Sequence, residues 1–72
     1  NKKYDLIFID PPYKEKKIEK IFSLINNFKI LKKKGYIILH RSKNSENFVL
    51  NNFETIDIRS YGISKIFFYK LK

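Results

Sequence analysis

The stretch Tyr4-Asp5-Leu6-Ile7-Phe8-Ile9-Asp10-Pro11-Pro12-Tyr13 decides the fold. Leu6 to Ile9 is apolar at every position, the pattern of a parallel strand covered on both faces. The run stops at an acid, two prolines and an aromatic ring. Open α/β sheets bind their ligands just outside the carboxyl ends of such strands. Asp10 to Tyr13 therefore stand where a site is expected, although Asp-Pro after a strand is also an ordinary turn signal.

Working outward, Ile18, Ile21, Phe22, Leu24 and Ile25 recur at helical spacing between lysines and glutamates, which predicts a helix from about Lys16 to Asn27. Its apolar stripe is read as plain core against the sheet. Lys32-Lys33-Lys34-Gly35 reads as the end of the connection, with Gly35 supplying turn freedom. Tyr36-Ile37-Ile38-Leu39 then predicts a second buried parallel strand ending at His40-Arg41-Ser42. Strand, helix and strand in one sheet imply a right-handed crossover, which puts His40, Arg41 and Ser42 at the same sheet edge as Asp10. A short helix is expected around Ser45 to Leu50. Phe53 to Arg59 alternates, with Ile56 and Ile58 on one face and Thr55, Asp57 and Arg59 on the other. Joined through Ser60-Tyr61-Gly62-Ile63 to Ser64–Leu71, it forms an antiparallel hairpin. The fold class is α/β: two parallel strands with a crossover helix, then a β-hairpin, within one domain unit spanning residues 1–72.

The corner after the first strand suits chemistry on an exocyclic amino group of a nucleobase. Such nitrogens are nearly planar because their lone pair is delocalised into the ring. Acceptors on both N–H hydrogens localise that pair, and fixed acceptors stabilise charge that develops in a transition state. The Asp10 carboxylate can take one hydrogen and the Pro11 carbonyl the other. Pro11 and Pro12 each fix φ and remove a competing N–H, and Tyr13 offers a face for an extruded base. This pattern fits methyl transfer to the amino group.

Net charge is +9, from 16 basic and 7 acidic residues, which is compatible with a polyanionic partner such as nucleic acid. Fourteen lysines stand against two arginines; lysine is the poorer bidentate reader of phosphate and base. With no cysteine and a single histidine, neither a disulfide framework nor a zinc site is expected, and no metal is implied. No apolar run approaches the roughly 20 residues of a membrane helix, so a cytoplasmic location and no membrane partner are the expectation. The chain also contains no methionine, and only Asn1-Lys2-Lys3 precede the first strand, which leaves it without an earlier neighbour. Both suggest a piece of a longer protein with strands upstream of Asn1.

In the order of its motifs the chain resembles the Rossmann-like methyltransferases that use S-adenosylmethionine, and more closely the RsmD-like family. The resemblance runs over nearly all of the chain. It rests on Tyr4 to Tyr13, on Leu31 to Gly35 leading into Tyr36–Leu39, and on Arg59-Ser60-Tyr61-Gly62 with Lys65 to Tyr69. It implies the carboxy-terminal portion of a methyltransferase domain, monomeric at full length. The implied reaction is methyl transfer from S-adenosylmethionine to the N2 amino group of a guanine in small-subunit (16S) ribosomal RNA. Asp10, Pro11 and Tyr13 would hold the target amino group, and Lys14 and Lys16 would face RNA phosphate. Arg41 and Lys43 are further candidate RNA contacts that surface charge explains equally well. Relatives usually carry a glutamate where this chain has His40, so the role of that acid does not transfer. His40 itself could act as a base or touch RNA, with a solvated or packed side chain the preferred reading. The resemblance sets the main donor-site determinants, a glycine-rich loop and an acidic ribose ligand, upstream of Asn1, with Asp10 adjacent to that site. Two alternatives stay open: a DNA adenine amino-methyltransferase, which can share Asp-Pro-Pro-Tyr, and a basic RNA-binding module without catalysis.

Overall fold

The computed structural model describes residues 2–10, 18–45 and 50–72. Strand β1 (Tyr4–Ile9) leads to helix α1 (Ile18–Phe28), followed by strands β2 (Leu31–Ser42), β3 (Phe53–Tyr61) and β4 (Ser64–Leu71). The four strands form one sheet in the order β1-β2-β4-β3. β1 and β2 run parallel, whereas β4 is antiparallel to both of its neighbours, β2 and β3. The expected two parallel strands, crossover helix and terminal hairpin are all present. The expected helix at Ser45 to Leu50 falls mostly outside the described residues, and neither Ser45 nor Leu50 is helical.

Helix α1 buries Ile18, Phe22 and Ile25 on one stripe, with Ile21 partly covered and Leu24 exposed. Phe22 is the anchor of the core. Its ring meets Phe53 edge-on at 5.2 Å and Tyr69 at 5.0 Å, while Phe67 stacks on Tyr69 at 6.1 Å. Edge-to-face pairs of this kind add about 0.5–1.5 kcal/mol beyond the area they bury. Ile9, Ile37, Leu39 and Leu31 complete the cluster from the parallel strands. The helix closes in a Schellman turn, in which Ile30 N–H donates to the Ile25 carbonyl and Lys29 N–H to that of Asn26. Lys29 occupies the left-handed position at φ 52°, where glycine is usual.

Several sequence expectations are corrected. Among the described residues β1 is covered on one face only: Ile9 is buried, but Leu6 and Phe8 are 56% and 62% exposed. The single helix among the described residues lies on the Ile9 side, and Tyr36 continues the uncovered apolar face. The second strand begins at Leu31, five residues before Tyr36, so Lys32 to Gly35 belong to the strand and not to a turn. Two steps along β1 (Tyr4 to Leu6) match five along β2 (Leu31 to Tyr36), and this irregularity absorbs the lysines. Gly35 serves close approach instead of turn freedom: a Cβ there would lie 2.7 Å from Leu31 Cδ1 and 2.9 Å from the Asp5 carbonyl oxygen. The alternation read in β3 is also broken. A register shift between Thr55 and Asp57 leaves Ile56 and Ile58 both exposed. The hairpin link is tighter than expected, with Gly62 at φ 57° taking the left-handed turn position.

Candidate active site

The carboxyl ends of β1 and β2 bring Asp10 and His40 together. Register makes this a direct consequence of the ladder: Phe8 pairs with Ile38 and Ile9 with Leu39, so the next residue on each strand is Asp10 and His40. His40 Nδ1 lies 2.9 Å from Asp10 Oδ1. Because a carboxylate oxygen accepts, the imidazole Nδ1–H donates in this contact. Both side chains are partly open to solvent, at 35% for His40 and 57% for Asp10. A polar contact that accessible contributes little to folding.

The two residues differ in how firmly they are held. Asp10 follows the last residue of β1. His40 sits inside an interior strand, paired with Ile66 of β4 in the same ladder that pairs Leu39 with Phe67 and Arg41 with Lys65. Leu39 beneath it is fully buried. The imidazole therefore stands on rigid backbone and the carboxylate on a strand end. The sequence placed His40 at this edge but preferred a solvated or packed ring. The signal that identifies its partner was available: aligning Leu6–Ile9 with Tyr36–Leu39 leaves Asp10 opposite His40.

Other site residues are placed unevenly. Pro11, Pro12, Tyr13, Lys14 and Lys16 lie outside the described residues. Arg41 follows His40 one residue before the end of β2, but strand alternation sends it to the opposite, helix-covered side, where its charge acts on Tyr69. Lys43 occupies the turn after β2, tied by its own N–H to the Ile63 carbonyl. On the open face Arg59 lies 5.9 Å over the Phe68 ring and bonds Asp57 at 3.0 Å, a contact that raises its pKa further. Among the described residues no group of His and acidic side chains could hold a metal ion, and no helix is long and apolar enough to cross a membrane.

Little of a site for S-adenosylmethionine lies among the described residues. A donor site of the Rossmann type needs glycine that lets backbone approach the ligand. Both glycines here have other work, Gly35 in the β1–β2 contact and Gly62 in the hairpin turn. Asn1, ahead of which the sequence reading sets the main donor determinants, is itself outside the described residues. The described residues therefore supply at most a wall of a donor site.

Comparison with known proteins agrees with this architecture. A parallel pair and an antiparallel hairpin with an acid at the carboxyl end of β1 define a segment of a Rossmann-like methyltransferase fold. Residues 1–70 match the family described as Conserved hypothetical protein 95, and the chain belongs to this RsmD-like methyltransferase family. It is 40% identical over 53 residues to "Ribosomal RNA small subunit methyltransferase D" of Buchnera aphidicola, covering 74% of this chain and 28% of that protein. It is 31% identical over 70 residues to "Putative rRNA methyltransferase YlbH" of Bacillus subtilis, covering 89% and 35%. The chain thus spans about a third or less of the length of these relatives. Among solved structures, a conserved hypothetical protein of Streptococcus pyogenes superposes with a TM-score of 0.83 at 26% identity, over 99% of this chain and 45% of that one. A putative methylase of Haemophilus influenzae gives 0.79 at 24% identity, over 94% and 42%.

Proposed function

We propose that the protein carrying this chain transfers a methyl group from S-adenosylmethionine to the exocyclic N2 amino group of a guanine in small-subunit ribosomal RNA. In this reading Asp10-Pro11-Pro12-Tyr13 is the target-base site. The observation that carries it is the Asp10 carboxylate, partly open to solvent at the carboxyl end of a parallel strand and fixed from the neighbouring strand by His40. Membership of the family and the naming of two relatives as rRNA methyltransferases support the substrate class.

S-adenosylmethionine supplies an electrophilic methyl group when bound, held in this account by segments upstream of Asn1, with the chain as the carboxy-terminal portion of the domain. The chain's own residues present the nucleophile. Asp10 accepts one amino hydrogen, the Pro11 carbonyl accepts the other, and Tyr13 stacks on the extruded base. Pro12 keeps the corner stiff. Lys14, Lys16 and Lys43 engage RNA phosphate in a salt-dependent way, with Arg41 a further contact from the helix-covered side of the sheet. The protein acts as a cytoplasmic monomer in this account.

Substituting Asp10→Ala in the intact protein tests the reading. The expected result is loss of methyl transfer to 16S RNA or small subunits, with RNA affinity within about threefold of the parent, because the phosphate contacts remain. Unchanged turnover overturns the catalytic assignment. Methylation of DNA adenine in place of RNA overturns the substrate.

A further inference from the structure

We infer that His40 is a positioning residue for the amino-group clamp: its Nδ1–H occupies Asp10 Oδ1, holding the carboxylate plane so that Oδ2 faces the target nitrogen. This rests on the methyl-transfer reading of Asp10 and goes beyond it, since nothing in the Asp-Pro-Pro-Tyr motif itself requires a partner on β2.

Three observations carry the inference. The first is geometric. An aspartate at the end of a strand can turn about its terminal torsion, which is broad and soft. A donor 2.9 Å from one oxygen removes that freedom. An acceptor meant for one N–H hydrogen of a planar amino group gains from being fixed before the base arrives, because misplacement of about 1 Å can cost around a hundredfold in rate. The second is mechanical. His40 follows Leu39, which pairs with Ile9 of β1, and is itself paired with Ile66 of β4. A supporting group works best on a rigid element, and β2 is hydrogen-bonded on both sides, to β1 and to β4. The third is energetic. With side-chain exposures of 35% and 57%, the pair adds little to folding, so its geometry bears on the site more than on stability.

Histidine suits the task for a further reason. Its ring has only two rotatable bonds and can present a donor to Asp10 while its second nitrogen faces away. A glutamate at this position would place a second carboxylate against Asp10, where two like charges resist sharing one site. The occupant of position 40 therefore decides whether Asp10 is anchored by a donor or faces another acid.

The test compares His40→Ala, His40→Asn and His40→Gln in the intact protein, alongside Asp10→Ala, by labelled methyl transfer with separate kcat and KM values. An asparagine amide reaches the place of Nδ1, whereas a glutamine amide reaches that of Nε2. The expected pattern is a kcat lower by about ten- to a hundredfold for His40→Ala and His40→Gln. KM for RNA and for the methyl donor should stay within about twofold, and His40→Asn should retain kcat within about threefold of the parent, since it restores the donor. A second readout needs no turnover. Nitrogen NMR of the neutral His40 ring should report a proton on Nδ1 in the parent and a shift towards the Nε2–H tautomer in Asp10→Ala. An Nε2–H ring in the parent overturns the inference.

Unchanged kcat for His40→Ala, with Asp10→Ala inactive, also overturns it and leaves the reading of Asp10 standing. Equal loss in all three His40 variants does the same, because shape and not the Nδ1 donor would then matter. Unchanged turnover for Asp10→Ala removes the methyl-transfer reading and the inference together.

Discussion

The backbone of Gly35 is held so close to β1 that a methyl group on its Cα would sit 2.9 Å from the Asp5 carbonyl oxygen and 3.1 Å from that of Lys32. The other near atom, Leu31 Cδ1 at 2.7 Å, belongs to a side-chain tip and is the one that moves cheaply. The contact lies where the β1–β2 register slips, so the strands approach there because no side chain intervenes.

Gly35→Ala should therefore destabilise the protein by about 1–3 kcal/mol, the usual cost of overpacking a filled site. Thermal or denaturant unfolding of the intact protein checks this; a variant as stable as the parent would mean that the strands part without penalty.

Lys29 gives the opposite expectation. It holds the left-handed C′ position of α1 at φ 52°, which costs an L-residue about 1 kcal/mol or more. The Schellman hydrogen bonds from Lys29 and Ile30 need that backbone and not the lysine side chain. Lys29→Gly should raise the unfolding midpoint by the equivalent of about 0.5–1 kcal/mol after the extra unfolded-state entropy of glycine is counted. A lower midpoint would show that the Lys29 side chain stabilises the turn.

Tyr69 links the core to pH. Burial pushes its phenol above the ordinary value of 10.0, partly offset by its hydrogen bond with Thr55 and the charge of Arg41. A group whose pKa is higher when folded contributes stability that is complete below its unfolded pKa. That contribution is lost as pH rises through the folded pKa. Unfolding should thus become easier above about pH 10. Tyr69→Phe should flatten this alkaline dependence while losing about 1 kcal/mol at neutral pH with the Thr55 bond. An identical alkaline slope in the phenylalanine variant would assign the effect to other groups.

Much of the architecture was legible because it is written in periodicity. The unbroken run Leu6–Ile9, the helical stripe of Ile18, Phe22 and Ile25, and the tyrosine- and phenylalanine-rich Ser64–Leu71 each report their element directly. Gly35 misled because one glycine can mean a turn or a close approach, and only the neighbouring strand distinguishes the two. The bulge in β3 was hidden for a similar reason. Alternation from Thr55 to Arg59 says nothing about the extra residue that the partner strand leaves unpaired. The uncovered face of Leu6 and Phe8 was not foreseen, since an apolar run records which surfaces want cover and not which receive it. In the candidate site, Asp10 was singled out by its motif. The partnership with His40 depends on β1–β2 register, which composition does not encode but which the two apolar runs, set side by side, reproduce.

The sheet has consequences for how this protein can vary. Phe22, Phe53, Phe67 and Tyr69 are locked together on the helix side, while Asp10 and His40 meet at the end of the other. Residues that share no partner contribute nearly independently when changed. Changes in the aromatic cluster and changes at position 40 should therefore add in their effects on stability, so the interior can be repacked without disturbing the residue that faces Asp10.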